Sequence, residues 1–178
     1  MGWRAIILTQ FETDRLIIKP VSFSDLSDIY EVLSDSNSMT YFVEGTYSLD
    51  QVKQFIQEDL EKMHHFSVFL KETGKWIGKL SFHPWFMKDT YEIGWIFSSK
   101  YTNYGYCTEA SKAILDYGFK VMNLHRIVAT CQPENIASKR VCEKLGMRIE
   151  GLFKKCIYYK NNLWWDELFY AILKEEYL

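Results

Sequence analysis

The chain has 178 residues, the size of one domain, and its 48% hydrophobic and 25% charged residues are ordinary for a soluble globular protein. Acids outnumber bases by 23 to 21, and the resulting net charge of −2 argues against a nucleic-acid-binding protein, which normally carries a basic excess or a basic face. No apolar run approaches the roughly 20 residues of a membrane-spanning helix, and the start, MGWRAIILTQFETDR, lacks the pattern of a signal peptide.

The first third of the chain predicts one strand followed by two helices. The segment RLIIKP, residues 15–20, is a short strand candidate. The segment VSFSDLSDIYEVLSD predicts a helix, which Ser22 or Ser24 can cap. A second helix begins at Ser48, which forms a capping-box pair with Gln51. Both helices repeat apolar residues along one face, so both are expected to pack against a sheet.

In the middle of the chain, the spacing of apolar residues changes from that of helices to that of strands. The segment FSVFLKETGKWIGKLSF, residues 66–82, predicts a hairpin that turns at ETGK, and YEIGWIF, residues 91–97, predicts a third strand of the same sheet. The loop YTNYGYCTEA follows, and an amphipathic helix begins in it. Its predicted buried face consists of Ala110, Ala113, Ile114, Tyr117 and Val121.

The last third predicts a strand, a helix and a hairpin. The strand is RIVATC, residues 126–131, and the helix PENIASKRVCEKLG is capped by Asn135 and ended by Gly146. The residues of this helix that are expected to face inward are Ala137, Val141 and Leu145. A hairpin with NN at its turn ends the chain. Since no linker, repeat or low-complexity tract interrupts this mixed α/β order, we expect a single domain over residues 1–178.

The loop before the central helix has two interpretations. A helix N-terminus presents unpaired N–H groups and a partial positive charge, so it stabilises an anion without any lysine. Gly105 can adopt dihedrals that other residues avoid and can let a ligand approach the backbone. Residues 103–108 therefore predict either a main-chain cradle for a phosphate or pyrophosphate, or a plain strand-to-helix turn that contains one glycine.

The later helix offers further candidates beside this loop. It follows the next strand, so in a parallel crossover its start lies next to the cradle. Asn135 is explained by its capping role, and Ser138, at the third helical position, points either into a cleft or toward water.

Together these segments resemble the GNAT acetyltransferase superfamily, and more narrowly the RimJ/RimL-type N-acetyltransferases. The strings that carry the resemblance are ETDRLIIKP, YEIGWIF, YTNYGYCTEA, LHRIVATCQPENIASKRVCEKLGMRIEGL and WWDELFYAIL, within residues 12–176. The resemblance implies an α/β GNAT fold, with a central mixed, mostly antiparallel, twisted sheet of six to seven strands flanked by about four helices. It also implies acetyl-CoA as the co-substrate, with its pyrophosphate bound by the backbone amides of the loop.

The loop departs from the family pattern Arg/Gln-x-x-Gly-x-Gly/Ala. Asn103 stands at the first glycine, Cys107 stands at the last small residue, and the loop lacks the usual basic residue. Asn tolerates left-handed dihedrals better than most residues, so the turn can be kept, with weaker acetyl-CoA binding than is typical. The resemblance implies that the co-substrate is bound by Asn103, Tyr104, Gly105, Tyr106, Cys107, Thr108, Asn135 and Ser138, and by backbone N–H groups near Ile96 and Phe97.

Acetyl transfer to an amine needs a base or water path for the amine proton, donors for the developing oxyanion and an acid for the leaving thiolate, all held in one cleft. Glu92 is the candidate base, because an acid in the matching family string faces the acceptor cleft; the alternative is a solvent-facing strand residue. Ser138 is the candidate acid, since many superfamily members carry Tyr at the position of Cys142 and a matching serine is the alternative donor. Cys142 is better explained as a small core residue.

Candidate contacts to the acceptor come from two other segments. His83 and Trp85, in SFHPWF, follow a predicted strand at the edge of the cleft, although a loop histidine without a role is the simpler interpretation. Asp166 and Glu167, in the last hairpin, either attract a cationic amine or are solvated.

The leading hypothesis is an acetyl-CoA-dependent N-acetyltransferase that acts on a protein N-terminus, for example that of a ribosomal protein. At neutral pH, deprotonating an α-amine costs about 1 kcal/mol and a lysine about 4 to 5 kcal/mol, so a weakly tuned base suits the α-amine. The alternatives are a polyamine, an amino sugar or another small amine as acceptor, and a module that binds acyl-CoA without catalysis.

The remaining expectations concern environment and partners. The four cysteines form no CxxC and have no histidine at zinc spacing, so they predict free thiols in a reducing cytoplasm and no metal site. A monomer or homodimer without nucleic-acid or membrane partners is expected.

Overall fold

The computed structural model describes residues 10–178, which contain eight strands and five α-helices. The strands are β1 (Phe11–Glu12), β2 (Leu16–Pro20), β3 (His65–Leu70), β4 (Trp76–Pro84), β5 (Thr90–Phe97), β6 (Arg126–Cys131), β7 (Arg148–Tyr158) and β8 (Trp164–Leu173). The helices are α1 (Leu26–Leu33), α2 (Leu49–Lys62), α3 (Tyr106–Asp116), α4 (Ile136–Lys144) and α5 (Lys174–Tyr177). The predicted α/β class is confirmed, but the sheet has one strand more than the predicted six to seven.

Two compact units make up the described chain, and strand β5 contributes to both. The first unit contains the described residues up to Phe82 together with Trp95–Ile114, and the second contains His83–Gly94 and Leu115–Leu178.

The first unit holds the antiparallel strands in the order β1-β2-β3-β4. The predicted hairpin is present, and its register shifts by a bulge between Val68 and Phe69. The unpredicted strand β1 has two residues and pairs Phe11 with Ile18. So short a strand has no periodic pattern of its own, which is why the predicted strand count was too low.

Helices α1 and α2 cover this unit's sheet with most of the apolar faces that their sequences predict, but Tyr30 and Leu60, which belong to those predicted faces, are 37% and 44% exposed. The Ser48 capping box is confirmed, because Gln51 N donates to Ser48 Oγ at 3.3 Å and Ser48 N donates to Gln51 Oε1 at 2.7 Å. Ser22, rather than Ser24, precedes the 3-10 turn that leads into α1. The buried core under the two helices includes Ile29, Val32, Leu33, Val52, Ile56, Trp76 and Ile96.

In the second unit, β6 is central and has neighbours of opposite direction. Its parallel pairing with β5 covers Thr90–Glu92 and Arg126–Val128, and its antiparallel pairing with β8 covers all six of its residues. Strand β7 then pairs with β8 as the predicted last hairpin, whose turn residues Asn161 and Asn162 have φ angles of 53° and 61°. Left-handed backbone of this kind is tolerated by asparagine, which explains the NN turn.

Two predicted buried positions are wrong. Val121 is 65% exposed, because α3 passes into a π turn at Tyr117–Val121 and the wider turn rotates this residue off the buried face. Ala137 is exposed together with Ile136, since the first turn of α4 is uncovered and burial begins one turn later, at Cys142 and Leu145. Among residues 10–178, no helix combines the length and apolar character that crossing a membrane requires.

Candidate active site

Glu92 lies in a cluster of polar side chains in the second unit. Its Oε2 is 3.6 Å from His83 Nε2, and its Oε1 accepts a hydrogen bond from Thr130 Oγ1 at 3.2 Å. The register explains the contact, because Glu92 is paired with Val128 and Thr130 is two residues further along the same face of β6. Since the side chains of Glu92 and His83 are only 18% and 31% exposed, the purely solvent-facing interpretation of Glu92 is wrong.

The position of His83 also differs from the prediction. Strand β4 continues to Pro84, so His83 is a strand residue and not a loop residue that follows the strand. Its backbone is therefore held by the sheet, and its imidazole stands beside the Glu92 carboxylate.

The pKa of Glu92 is raised above the ordinary value for a glutamate. Burial is the largest cause; the charge of His83 and the hydrogen bond from Thr130 lower the pKa in part, and the nearby carboxylate of Glu167 raises it. A carboxylate with a raised pKa binds a proton more strongly than a solvated one, so Glu92 can serve as a proton acceptor for an ammonium group.

The carboxylate of Glu167 and the aromatic rings of Phe169 and Trp85 lie near this cluster. Glu167 makes no ion pair or side-chain hydrogen bond among residues 10–178, whereas its neighbour Asp166 is paired with Lys154 Nζ at 2.9 Å. Phe169 is paired with Thr130 across the β6–β8 ladder, so it lies on the Glu92 face. Trp85 packs against Phe169 with ring centroids 6.1 Å apart. Of the two acids predicted for acceptor contacts, only Glu167 is therefore available.

The loop before α3 has the backbone that a main-chain cradle requires. Asn103 and Gly105 adopt φ angles of 67° and 81°, both left-handed, so asparagine does replace the family's first glycine in the turn. Residues 102–105 are exposed, and α3 begins at Tyr106. Tyr104 and Tyr106 stack on each other with ring centroids 5.6 Å apart.

A basic residue stands at this loop although none occurs within it. Arg15 Nη2 donates to the Tyr104 carbonyl at 3.2 Å, and the guanidinium lies 4.5 Å from the centroid of the Tyr106 ring. Glu109 fixes it, accepting from Arg15 Nε at 2.7 Å. Sequence reasoning missed this contact because it spans 89 positions, although Arg15 belongs to the ETDRLIIKP string that carries the family resemblance.

Replacing Arg15 by methionine is expected to raise the dissociation constant of acetyl-CoA about tenfold, because the loop loses a charge-assisted donor and the carboxylate of Glu109 loses its cationic partner. Isothermal titration calorimetry with acetyl-CoA at two salt concentrations measures this. Lys53→Met is the matched control, since it removes one positive charge from the exposed face of α2. Equal affinity of the two variants would refute the contribution of Arg15.

The remaining predicted residues are distributed over both units. Ile96 is buried and Phe97 half-buried on β5 in the first unit, and Thr108 is half-buried in the first turn of α3. In the second unit, Asn135 Oδ1 accepts from Ser138 N at 3.1 Å, so its predicted capping role is confirmed. Ser138 is half-buried.

The thiols behave as the sequence predicts. All four cysteines are free, and Cys142 is fully buried, which agrees with its interpretation as a core residue. Burial raises the pKa of the Cys107 thiol far above its ordinary value, so Cys107 contributes a neutral, small side chain to the loop. In the described part of the chain, no three histidine, cysteine or acidic side chains cluster as metal ligands do.

Comparison with known proteins gives the family to which the chain belongs. Residues 15–148 match the family model described as an acetyltransferase (GNAT) domain, and the chain belongs to this family. It is an N-acetyltransferase of the GNAT type that uses acetyl-CoA.

Individual relatives agree with this assignment. The uncharacterized N-acetyltransferase YnaD of Bacillus subtilis is 51% identical over 166 residues, covering 93% of this chain and 97% of that protein. A crystal structure of a GNAT-family acetyltransferase from Bacillus anthracis matches with a TM-score of 0.89 and 47% identity, covering 94% and 99% of the two chains. A spermidine N-acetyltransferase from Vibrio cholerae, solved with CoA and spermine, shares the fold with a TM-score of 0.81 at 22% identity, covering 93% and 99%.

Proposed function

We propose that residues 1–178 form one catalytic domain that transfers the acetyl group of acetyl-CoA directly to a primary amine, with Glu92 as the general base. The observation that carries this proposal is the position of Glu92: a half-buried carboxylate with a raised pKa, held by Thr130 and facing His83. A general base must take a proton from the ammonium and later release it to water. A half-buried carboxylate with a raised pKa is suited to both steps.

The chain's own residues would divide the work as follows. The amides of residues 103–108, with Arg15 beside them, bind the pyrophosphate. Backbone groups near Ile96 and Phe97, together with Asn135 and Ser138, bind the pantetheine arm and the thioester. The ammonium of the acceptor gives one proton to Glu92, and the neutral amine attacks the thioester carbonyl to form the C–N bond. The nitrogen then loses its second proton to water, the C–S bond breaks with its electron pair on sulfur, and the CoA thiolate takes up a proton from water. His83 holds Glu92 and passes the proton on toward solvent.

The acceptor that we favour is an α-amine at a protein N-terminus, as in enzymes of the RimJ/RimL type. A carboxylate, even one with a raised pKa, is a weak base relative to an amine, so the cost of deprotonating the acceptor matters. That cost at neutral pH is about 1 kcal/mol for an α-amine and about 4 to 5 kcal/mol for an alkyl amine. The RimJ/RimL assignment is supported by the sequence strings HRIVAT and PENIASKRVCEKLGM, residues 125–130 and 133–147.

A small polycationic amine is the second candidate, and one observation favours it. Glu167 has no cationic partner among residues 10–178, yet it is close enough to Glu92 to raise its pKa. Glu167 lies two residues before Phe169 on β8, and such a carboxylate suits a second ammonium group of the acceptor. The related structure from Vibrio cholerae contains spermine, which makes polyamines the first small amines to test.

A panel of amines tests the proposal. Acetyl-CoA consumption, read as free thiol, is measured with N-terminal peptides, spermidine, glucosamine and amino-acid amides. We expect turnover with peptides whose α-amine is free and at least tenfold less with their N-methylated or N-formylated forms. Faster turnover of spermidine than of every peptide would establish the second candidate instead. Binding of CoA without turnover of any amine would instead support the interpretation as a module that binds acyl-CoA without catalysis.

A further inference from the structure

Lys79, on β4 of the first unit, carries an ammonium group that has no hydrogen-bond acceptor. Its side chain is half-buried, and its Nζ makes no hydrogen bond or ion pair among residues 10–178. Two other lysines of this unit have acidic partners: Lys53 Nζ lies 3.0 Å from Asp50, and Lys75 Nζ lies 2.9 Å from Asp28. A half-buried ammonium group without an acceptor has little to hold it in its charged form.

The contact that Lys79 does make is with an aromatic ring. Its Nζ lies 4.8 Å from the centroid of the Phe55 ring on helix α2. The face of a ring attracts a cation, but it offers no lone pair comparable to that of a carboxylate. Phe55 and Lys79 are both half-buried, so the amine lies at the edge of the layer between α2 and the sheet and not in the closed core.

Asp59 on α2 is the carboxylate whose charge acts on Lys79, but other donors already occupy it. Its Oδ1 accepts from His64 N at 3.0 Å and lies 2.7 Å from His65 Nδ1, and its Oδ2 accepts from His65 N at 3.2 Å. Asp59 therefore fixes the chain after α2 and leaves Lys79 without a direct partner.

Asp25 is the next carboxylate on this side of the sheet, and it is also occupied. Ser67 is paired with Lys79 on one side and with Lys19 on the other, and its hydroxyl donates to Asp25 Oδ2 at 2.8 Å. Asp25 also accepts from Ser22 N at 3.1 Å, and Lys19 Nζ lies 4.0 Å from its Oδ1. Of the two lysines that flank Ser67, only Lys19 thus has an acidic partner.

This environment makes the amine of Lys79 a nucleophile near neutral pH. Burial lowers the pKa of Lys79 to about 8, and the charge of Asp59 opposes this shift only in part. At about pH 7.5, roughly one quarter of such a group is neutral, whereas about one in 800 ordinary lysines with a pKa near 10.4 is neutral. Only the neutral amine has the lone pair that attacks a carbonyl carbon.

We propose that Lys79 is a modification site whose ε-amine is acetylated by acetyl-CoA, the acyl donor that the enzyme already uses. The neutral amine attacks the thioester carbonyl to form the C–N bond, and the nitrogen loses one proton to water. The C–S bond breaks with its electron pair on sulfur, and the CoA thiolate takes up a proton from water. The product is an uncharged acetyllysine beside Phe55. The reaction goes beyond the proposed function, because it involves neither Glu92 nor an amine acceptor.

Mass spectrometry of the full chain after incubation with acetyl-CoA tests the proposal. The acetylated fraction of each lysine is followed over time, with Lys53 as the matched control in the same unit. We expect Lys79 to react at least tenfold faster than Lys53 at about pH 7.5. The rate at Lys79 should level off above about pH 8, where its amine is neutral. In urea, where α2 no longer covers the strand, the difference between the two lysines should disappear.

Two results would overturn the proposal. One is a rate at Lys79 that does not exceed the rate at Lys53 in the folded chain. The other is an equal advantage of Lys79 in urea, because that advantage would come from the local sequence and not from the fold. Neither result depends on turnover of an amine acceptor, so a failure of the proposed function leaves this test intact.

The variant Lys79→Met tests the same environment without acetylation. Because the pKa of Lys79 in the folded chain lies below the value of about 10.4 in the unfolded chain, the stability of wild type rises as the pH increases from about 8 to about 10.4. The melting temperature of Lys79→Met should therefore exceed that of wild type most at about pH 7, and the excess should shrink toward about pH 10. A difference that stays constant with pH would contradict the lowered pKa and with it the proposal.

Discussion

Glu92→Gln is expected to lower kcat about 100- to 1,000-fold with the best amine, because glutamine keeps the shape and the Thr130 contact of the side chain but cannot take a proton. The affinity for CoA should change less than twofold. Thiol release at saturating acetyl-CoA measures the first quantity, and calorimetry measures the second. Glu175→Gln, on the exposed helix α5, removes the same charge elsewhere and should leave both unchanged.

The pH profile gives this prediction a second test. Because the pKa of Glu92 is raised, the base is protonated and inactive at low pH, and kcat rises as the pH passes through that pKa. The charge of His83 lowers this pKa, so His83→Asn should move the rising limb to higher pH. An unchanged rate in Glu92→Gln, or a limb that stays in place in His83→Asn, would discard Glu92 as the base.

Gly78→Ala is expected to destabilise the first unit by about 2 kcal/mol, because a methyl group there has no room. An added Cβ would lie 2.7 Å from the carbonyl oxygen of Ile96 and 2.7 Å from the ring of Phe97. Backbone and ring must move together to accept it. Since the backbone near these two residues is the proposed binding place of the pantetheine arm, the affinity for acetyl-CoA should fall as well.

Chemical denaturation and calorimetry measure these two effects. Gly151→Ala is the matched control, because the added Cβ on β7 meets its nearest atom, on Phe153, at 3.9 Å. This variant should retain the stability of wild type within a few tenths of a kcal/mol. Equal denaturation midpoints for the two variants would show that the Gly78 position tolerates a side chain, contrary to the close approach described here.

Local sequence signals predicted most of the elements because their causes are local. Ser48 and Gln51 are three residues apart, and the turn at Asn161 and Asn162 depends on the backbone preference of asparagine itself. The wrong burial predictions at Val121 and Ala137 depend on features that the apolar period of the sequence does not contain. The apolar period at Val121 continues in the sequence, but the helix widens into a π turn there, and the exposure of Ala137 depends on where the sheet ends.

The site was predictable one residue at a time but not as an assembly. Glu92 and His83 were identified from the sequence, but only as separate candidates. The hydrogen bond from Thr130 to Glu92 was not predicted, because the two residues are 38 positions apart and no sequence pattern links them. Arg15 was not identified as part of the loop, because its partner Tyr104 lies 89 residues further on.

The distribution of cysteines gives the chain its own reporters of unfolding. Cys156 is exposed on β7 and accepts an alkylating reagent in the native state, whereas Cys107 in the first unit and Cys142 in the second are withdrawn from it by burial or by a raised pKa. Alkylation of Cys142 therefore requires the second unit to open, and rapid alkylation of Cys107 requires loss of the environment that raises its pKa. Equal modification rates at Cys107 and Cys142 across a range of denaturant concentrations mean that both units unfold in one cooperative step, and unequal rates identify the unit that opens first.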